Sequence, residues 1–558
     1  MNIDQIKTWT LTVARTLAQY PHYYALVTLA LLATVFFLFY NLGHYALWED
    51  EALTAMAAKG AARHGDTSAW VGDGNLSAIR NGLHLDDHLR ERATPALPIY
   101  LTAASFRLFG ETPWTARLPH ALIGLLTVAL LLRWARELGG PRRLALVALL
   151  VLGNVSFWLF FRQCRYYGLS SLCTLAAAYG WWRWRGRRRD FVLLSLALLG
   201  LLCSQPIVYV AAGAALAVDW LGWRRGDFSW RELCALAVPQ AAGVAWVYCC
   251  WNPWSTGFNG QYYDNGTPAN DFCDTLTIFY WHLRDLNRCE FYAALPVLAA
   301  LTLAWRARWW WVYRAVLAAL VMTLMVSQCS TQFKWATTVA DVRFNAQLIP
   351  LLLLVEAAGI ALLCRRRWWL ALTVTALVAF TNLGNGGWWL PEGARSTAWQ
   401  FARELLTPPR TDPFTPTAAW LREHTPPGAT VLVEPNADVY PLLFLAPRQL
   451  YVWQLDAHMR DTKKFGALDA KWFKGGPPPD YLVAFGAGQF EALRRALRDS
   501  PIPAQYELAA RLDIWPAAIY RPELFWHSFT TVPAAPQRGA AVYVFQRLPP
   551  SAADGGGN

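Results

Sequence analysis

Arginine is spread unevenly along this chain. Between residues 24 and 384 apolar runs follow one another, and every second break between them is packed with arginine. These breaks hold Arg133, Arg136, Arg142 and Arg143; then Arg183, Arg185 and Arg187 to Arg189; then Arg224, Arg225 and Arg231; then Arg306, Arg308 and Arg314; then Arg365 to Arg367. The other breaks carry acids, histidines, tyrosines and scattered cations. Cytoplasmic loops of membrane proteins retain positive charge, so the alternation predicts both that the runs cross a membrane and in which direction. Lys7 and Arg15 place the N-terminus in the cytoplasm. Eleven spans are expected, at roughly 24–43, 116–134, 144–161, 167–183, 190–204, 206–222, 232–251, 291–305, 314–330, 344–363 and 368–384. An odd number of crossings leaves the C-terminus outside, in the periplasm for a bacterial inner (plasma) membrane.

Composition agrees. The chain is 55% hydrophobic and 16% charged, against about 25% charged for a soluble domain. The net charge of +12 does not point to nucleic acid, because most of the excess is cytoplasmic arginine that meets anionic lipid headgroups. Trp181, Trp182 and Trp184, Trp309 to Trp311, and Trp368 and Trp369 flank spans, as interfacial belts do. The first run is too long for a cleaved signal peptide, and no small-residue cleavage site follows it. Most cysteines lie in or beside spans and read as packing residues. Cys273 and Cys289 share one external loop, where an oxidising compartment would allow a bridge.

The expected fold is a polytopic α-helical membrane protein of about 11 spans, with interfacial helices and a C-terminal periplasmic α/β domain. Residues 1–384 form the membrane body, 385–416 a linker with Pro408, Pro409, Pro413 and Pro416, 417–549 the α/β domain, and 550–558 a disordered tail. Within the domain, Ala418 to His424 and Gln489 to Arg498 read as helices. Ala429 to Glu434, Gln449 to Trp453, Tyr481 to Phe485 and Ala541 to Phe545 read as strands. Two external loops are long, 44–115 and 252–290. Their helical patterns (Ala52 to Arg63, Leu97 to Phe109 and Phe272 to Asp285) are too short or too polar to span, and fit helices lying at the outer interface.

Four clusters on that outer side could carry chemistry. Glu49, Asp50 and Glu51 follow the first span directly. Three adjacent, partly desolvated carboxylates repel one another and are poised to act as a base; a solvated helix start is the alternative. Arg162 and Arg165 lie at the outer end of the third span, against the positive-inside pattern. An arginine fork suits a phosphate, and snorkelling to the interface is the alternative. Lys334 and Arg343 sit at the outer mouth of the tenth span, where they could hold a phosphate or, for Arg343, pair with Asp341. His84, Asp87 and His88 could bind a divalent metal if they share a helix face; no cofactor is otherwise implied.

The acid pair Asp50-Glu51 after a first span resembles the first-loop motif of the glycosyltransferase-C (GT-C) superfamily. Thr94-Pro95-Ala96-Leu97-Pro98-Ile99-Tyr100, Leu108-Phe109-Gly110, Ala116-Arg117-Leu118-Pro119 and Arg165-Tyr166-Tyr167 follow in similar order. The resemblance is to the branch of protein O-mannosyltransferases and lipid A aminoarabinose transferases, and covers residues 24 to about 350. It implies transfer of a sugar, on the outer face and usually with inversion, from a polyprenyl-phosphate carrier to a hydroxyl of a lipid, glycan or protein. Asp50 falls on the catalytic acidic position and Glu51 beside it. Arg165, Arg343, Arg92 and Lys334 would hold the donor phosphate, and Tyr166, Tyr167 and Glu49 would line the substrate site. The sequence departs from the aminoarabinose branch in two places. Thr94 stands where a Lys commonly precedes the proline, which leaves Arg92 or another cation to serve, and no acid lies near Arg165-Tyr166-Tyr167-Gly168. The rival readings are a polysaccharide ligase using a polyprenyl-diphosphate donor and a membrane transporter. Spans nearly free of charge disfavour the transporter.

The arginine alternation makes a direct prediction: a reporter active only in the cytoplasm, fused after residue 386, stays silent. A strong signal from that fusion would reverse the topology.

Overall fold

The computed structural model describes residues 20–78, 80–256, 272–289, 303–305, 309–329, 342–382, 397–407, 412–498, 504–514 and 541–549. The helices of the first half are α1 (Pro21–Phe39), α2 (Glu49–His64), α3 (Ala96–Phe109), α4 (Pro113–Gly153), α5 (Val155–Phe161), α6 (Tyr167–Arg183), α7 (Arg188–Ser204), α8 (Pro206–Asp219) and α9 (Trp230–Trp246). They are followed by α10 (Phe272–Cys289), α11 (Trp310–Cys329), α12 (Ile349–Leu363) and α13 (Trp368–Phe380). Six described helices are long and apolar enough to cross a membrane: Pro21–Phe39, Pro113–Gly153, Pro206–Arg224, Trp230–Ser255, Trp310–Cys329 and Arg343–Leu363. Of the other expected spans, 167–183 and 190–204 form the 17-residue helices α6 and α7, and 368–384 the 13-residue α13. The run at 291–305 lies outside the described residues apart from 303–305.

α4 is two helices joined end to end. Gly140 takes φ +68, which a side chain would resist, and Pro141 starts the second half with its preset φ. The chain reverses there. Gly124 of the first half lies against Phe161 of α5, with no room for a Cβ. The pair accounts for the expected spans 116–134 and 144–161. α9 continues through a π-helical turn, Val247–Trp251, which carries Trp251 to Arg92 of the first loop.

Beyond the spans come α14 (Ala398–Leu406), α15 (Phe414–His424), β3 (Thr430–Glu434), α16 (Val439–Leu445), β4 (Leu450–Tyr451), β5 (Tyr481–Phe485), α17 (Ala487–Arg498), β6 (Tyr506–Asp513) and β7 (Ala541–Arg547). The strands form one sheet in the order β4-β3-β5-β7-β6. β3 runs parallel to β4 and β5; β7 is antiparallel to β5 and β6. Alternate residues serve opposite faces. Val431, Val433, Val483, Val542 and Val544 pack toward α15 and α16, whereas Leu432, Leu482 and Ala484 pack with Leu493 of α17. The first of these cores is continuous with α2 and α3, through Met56, Ala103 and Phe106. Phe106 and Phe444 of α16 have ring centroids 5.9 Å apart. The sheet thus sits directly on the long segment between α1 and α4.

The structure departs from expectation in three places here. The linker 385–416 contains α14, whose capping box pairs Thr397 with Gln400 and whose Phe401 stacks on Phe37 of α1. β6 is unforeseen because it is an exposed edge strand whose charges alternate with small residues. Cys273 and Cys289 lie sixteen positions apart on α10, a rise of about 24 Å at 1.5 Å per residue. A disulfide holds its Cα atoms within about 7 Å, so the two cannot be bridged. The tail 550–558 lies outside the described residues.

One side chain pins the first loop to the sheet. β1 (Trp70–Gly72) and β2 (Asn75–Leu76) form a short hairpin. The buried Asn75 amide donates to Pro447 and Gln449 carbonyls at 2.8 and 2.7 Å, and its carbonyl accepts from the Tyr451 N–H at 3.1 Å. Asn75→Ala strands those groups, at about 1–3 kcal/mol. It is expected to lower the unfolding midpoint and open the 412–498 region to limited proteolysis; unchanged proteolysis would contradict the clamp.

Candidate active site

α2 follows α1 after a short connection, with Glu49, Asp50 and Glu51 in its first turn. Successive helical residues project about 100° apart. The three carboxylates therefore diverge, Glu49 to Arg80, Asp50 to Arg165 and Arg343, and Glu51 to Arg117.

Glu51 is fully buried. Its carboxylate accepts from Arg117 Nε at 2.9 Å, Arg117 Nη2 at 2.6 Å and the Cys164 N–H at 2.7 Å. Arg117 spends its other three N–H groups on the carbonyls of Leu42, Tyr45 and Ala46. Glu51 is thus a structural anchor with no access to substrate, which corrects the expectation of a second reacting acid. Arg162 likewise caps the end of α1, donating to the Phe37 and Tyr40 carbonyls.

Asp50 is a quarter exposed and stands between two guanidiniums. Its Oδ2 lies 3.6 Å from Arg165 Nη2 and 3.4 Å from Arg343 Nη1. Arg165 also donates to the Asp50 carbonyl and to Thr54 Oγ1, both at 3.1 Å, so it reads the first turn of α2 directly. Arg343 comes from the 3-10 turn Val342–Leu348 that leads into α12. Residues 293 positions apart in sequence thus meet at one carboxylate. Lys334 and Asp341 lie outside the described residues.

All three open onto a cavity of about 670 Å³. Tyr166 and Tyr167 line it, with rings 4.6 Å apart, as do Thr94, Trp251 and Phe344. Its far wall is apolar and comes from α7, α8 and the end of α9, for example Leu202, Val208 and Val244. Glu49 lines it too, in an ion pair with Arg80.

Two expectations fail here. Arg92 is buried, grips Asp66 with both terminal nitrogens at 2.8 and 2.7 Å, and stacks on the Trp251 ring; it is committed to the loop and does not face a donor phosphate. His84, Asp87 and His88 do not share a helix face. They lie in a turn organised by Asp86, which accepts from the His88 and Arg90 N–H groups. His84 is buried beside Glu91, whereas Asp87 and His88 are exposed. Among the described residues no group of three His, Cys, Asp or Glu side chains is placed to hold a metal ion. Burial, then the nearby Arg80 charge, holds the His84 imidazole down to about 3, and burial pushes Glu91 up to about 7.

Sequence reasoning missed Arg80, His84 as a cavity residue, and Tyr440 of α16, all of which line the cavity. Only the pairing of loop and C-terminal domain brings them there.

Residues 93–248 match the family model described as dolichyl-phosphate-mannose-protein mannosyltransferase. The fold resembles the crystal structures of ArnT from Cupriavidus metallidurans, bound to undecaprenyl phosphate and in the apo state, with TM-score 0.59 and 16% identity. That similarity covers 87% of this chain and 96% of the other. The chain has the fold of ArnT. The resemblance read from Asp50-Glu51 and the motifs after it is borne out at that level. An uncharacterized protein of Aquifex aeolicus (strain VF5) is 27% identical over 190 residues, which is 33% of this chain. The match spans about a third of that relative's length, 35%. A weaker structural likeness, TM-score 0.45 at 11% identity, is to the oligosaccharyltransferase of Archaeoglobus fulgidus, covering 77% of this chain and 64% of that one.

The surroundings of Asp50 and Glu51 differ, and stability separates the two acids experimentally. Glu51→Gln leaves Arg117 buried without its counter-charge, a loss of about 3–5 kcal/mol. Its unfolding midpoint in detergent is expected to fall well below that of Asp50→Asn, whose carboxylate is partly solvated. Equal midpoints would show that Glu51 is not the anchor.

Proposed function

We propose that this chain transfers a sugar from a polyprenyl-phosphate donor to an acceptor hydroxyl on the periplasmic face of the inner membrane. The observation that carries the reading is the Asp50 carboxylate held between Arg165 and Arg343 at the mouth of a cavity with an apolar wall. The match to the mannosyltransferase family model supports it, as does the fold shared with a protein crystallised with undecaprenyl phosphate.

The chemistry follows from the charges. Arg165 and Arg343 bind the donor phosphate, and the prenyl chain lies along the apolar wall. Two guanidiniums stabilise the negative charge that grows on the phosphate as the bond from the anomeric carbon to the phosphate oxygen breaks. The acceptor oxygen attacks that carbon from the opposite side and forms the new bond with inversion. Asp50 takes the hydroxyl proton as the oxygen attacks. Tyr166 and Tyr167 shape the site where the sugar rests. Glu51 contributes by fixing the start of α2.

Asp50→Asn keeps size and removes the base. Transfer from a glycosyl-phosphoprenol should fall by roughly 100- to 10,000-fold, with undecaprenyl phosphate still bound. Arg165→Lys retains part of the activity because a point charge replaces a fork, and Arg165→Ala loses nearly all of it together with lipid affinity. Near-normal turnover in Asp50→Asn would remove it as the base. Unchanged lipid binding in Arg165→Ala and Arg343→Ala would end the phosphate assignment.

A further inference from the structure

Arg80 is a third arginine at the cavity, and no part of the proposed reaction has yet used it. Its backbone is unusual. Arg80 and Asn81 both take the left-handed conformation, with φ +54 and +57. Residues with a Cβ resist that region, and an isolated loop would not keep two of them there. The C-terminal domain keeps them there. Asp456 Oδ2 accepts from the Asn81 side-chain amide at 2.6 Å, and the Asp456 N–H donates to Asn81 Oδ1 at 2.8 Å. Just before the turn, Gln454 accepts from the Ala78 N–H at 2.7 Å. Just after it, Lys464 donates to the Gly82 and Leu85 carbonyls, and the Phe465 ring closes on Gly82.

A strained turn held by another domain presents Arg80 to the cavity. The side chain itself is not part of that clamp. It is nearly half exposed and its partner is Glu49. An ion pair this open to solvent contributes little to folding, so it does not explain the strain. The hydrogen bonds to Asp456 and Lys464 hold the turn, and the turn fixes where the Arg80 guanidinium stands at the cavity. The Glu49 carboxylate occupies the guanidinium in the way a ligand's anionic group would. Arg165 and Arg343 already serve Asp50 and, on the proposed function, the donor phosphate.

We propose that Arg80 is an anion-binding residue for the acceptor, recognising a phosphate or carboxylate group near the hydroxyl that receives the sugar. Glu49 holds the guanidinium until such a group displaces it. The C-terminal domain takes part in acceptor recognition by fixing the turn at residues 80–81. The proposal rests on the transferase reading for the word acceptor, though not for the existence of the anion site.

The test separates the two phosphate sources. The full-length protein in detergent is saturated with undecaprenyl phosphate, and inorganic phosphate is then titrated while the unfolding midpoint is followed. The parent protein is expected to gain a second, saturable stabilisation. Glu49→Gln, which removes the competing carboxylate, should bind phosphate about tenfold more tightly. Arg80→Gln and the double variant Glu49→Gln/Arg80→Gln should lose the second stabilisation and keep their affinity for undecaprenyl phosphate. In transfer assays the double variant should not recover activity, as it would if Arg80 merely neutralised Glu49. Phosphate stabilisation in Arg80→Gln equal to the parent overturns the proposal. So does recovery in the double variant. Weakened binding of undecaprenyl phosphate or diphosphate in Arg80→Gln would assign Arg80 to the donor and overturn the acceptor role. A parent protein that transfers no sugar yet shows the second phosphate site would sink the transferase reading and leave the site standing.

Discussion

The buried ion pair between Glu51 and Arg117 is the interaction on which the site depends. Two charges out of water are costly unless every hydrogen-bonding position is filled. Here all five N–H groups of Arg117 are used, three on loop carbonyls and two on Glu51. Glu51 spends its remaining capacity on the Cys164 N–H. One pair therefore joins the end of α1, the start of α2, the start of α4 and the loop that carries Arg165. It fixes where Asp50 projects and where Arg165 can reach. Asp50 can stay partly solvated because its neighbour in sequence does the anchoring.

The second constraint is the contact between the sheet and the segment joining α1 to α4. One apolar core runs from β3, β5 and β7 through α16 into α2 and α3. The buried Asn75 and Gln454 side chains stitch the same boundary with hydrogen bonds. The C-terminal domain is consequently part of the cavity wall, through Tyr440 directly and through the turn at Arg80 indirectly. Asp438, beside it, is pushed up to about 7 by burial and by the nearby Glu49 and Glu434 charges. A domain that looks separate in sequence shapes the site by contact.

Much of this was legible before any coordinates. The arginine alternation and apolar runs anticipated a helical membrane body. The three helices expected between spans fall close to their expected bounds, as 49–64, 96–109 and 272–289, because helical periodicity survives burial on one side. Asp50, Arg165 and Arg343 each stood out by local chemistry, but nothing local said that they meet. The failures share a cause. Arg92, Glu51 and the histidines His84 and His88 were judged as isolated chemical types, whereas their roles are set by partners distant in sequence. Arg117 stood in a family motif as a cation at the start of an apolar span, and only its partners reveal why. Arg80 gave no sequence signal at all, since its meaning lies in a backbone conformation and a clamp 375 residues away.

The central claim is that Asp50, Arg165 and Arg343 form the reacting centre, with the phosphate between the two arginines. An experimental structure of this protein with undecaprenyl phosphate tests it most directly. The phosphate oxygens should lie about 3 Å from the guanidinium nitrogens of both Arg165 and Arg343. The prenyl chain should run along the wall formed by Leu202, Val208 and Val244. A phosphate bound elsewhere, with Arg165 and Arg343 still closed on Asp50, would contradict the account.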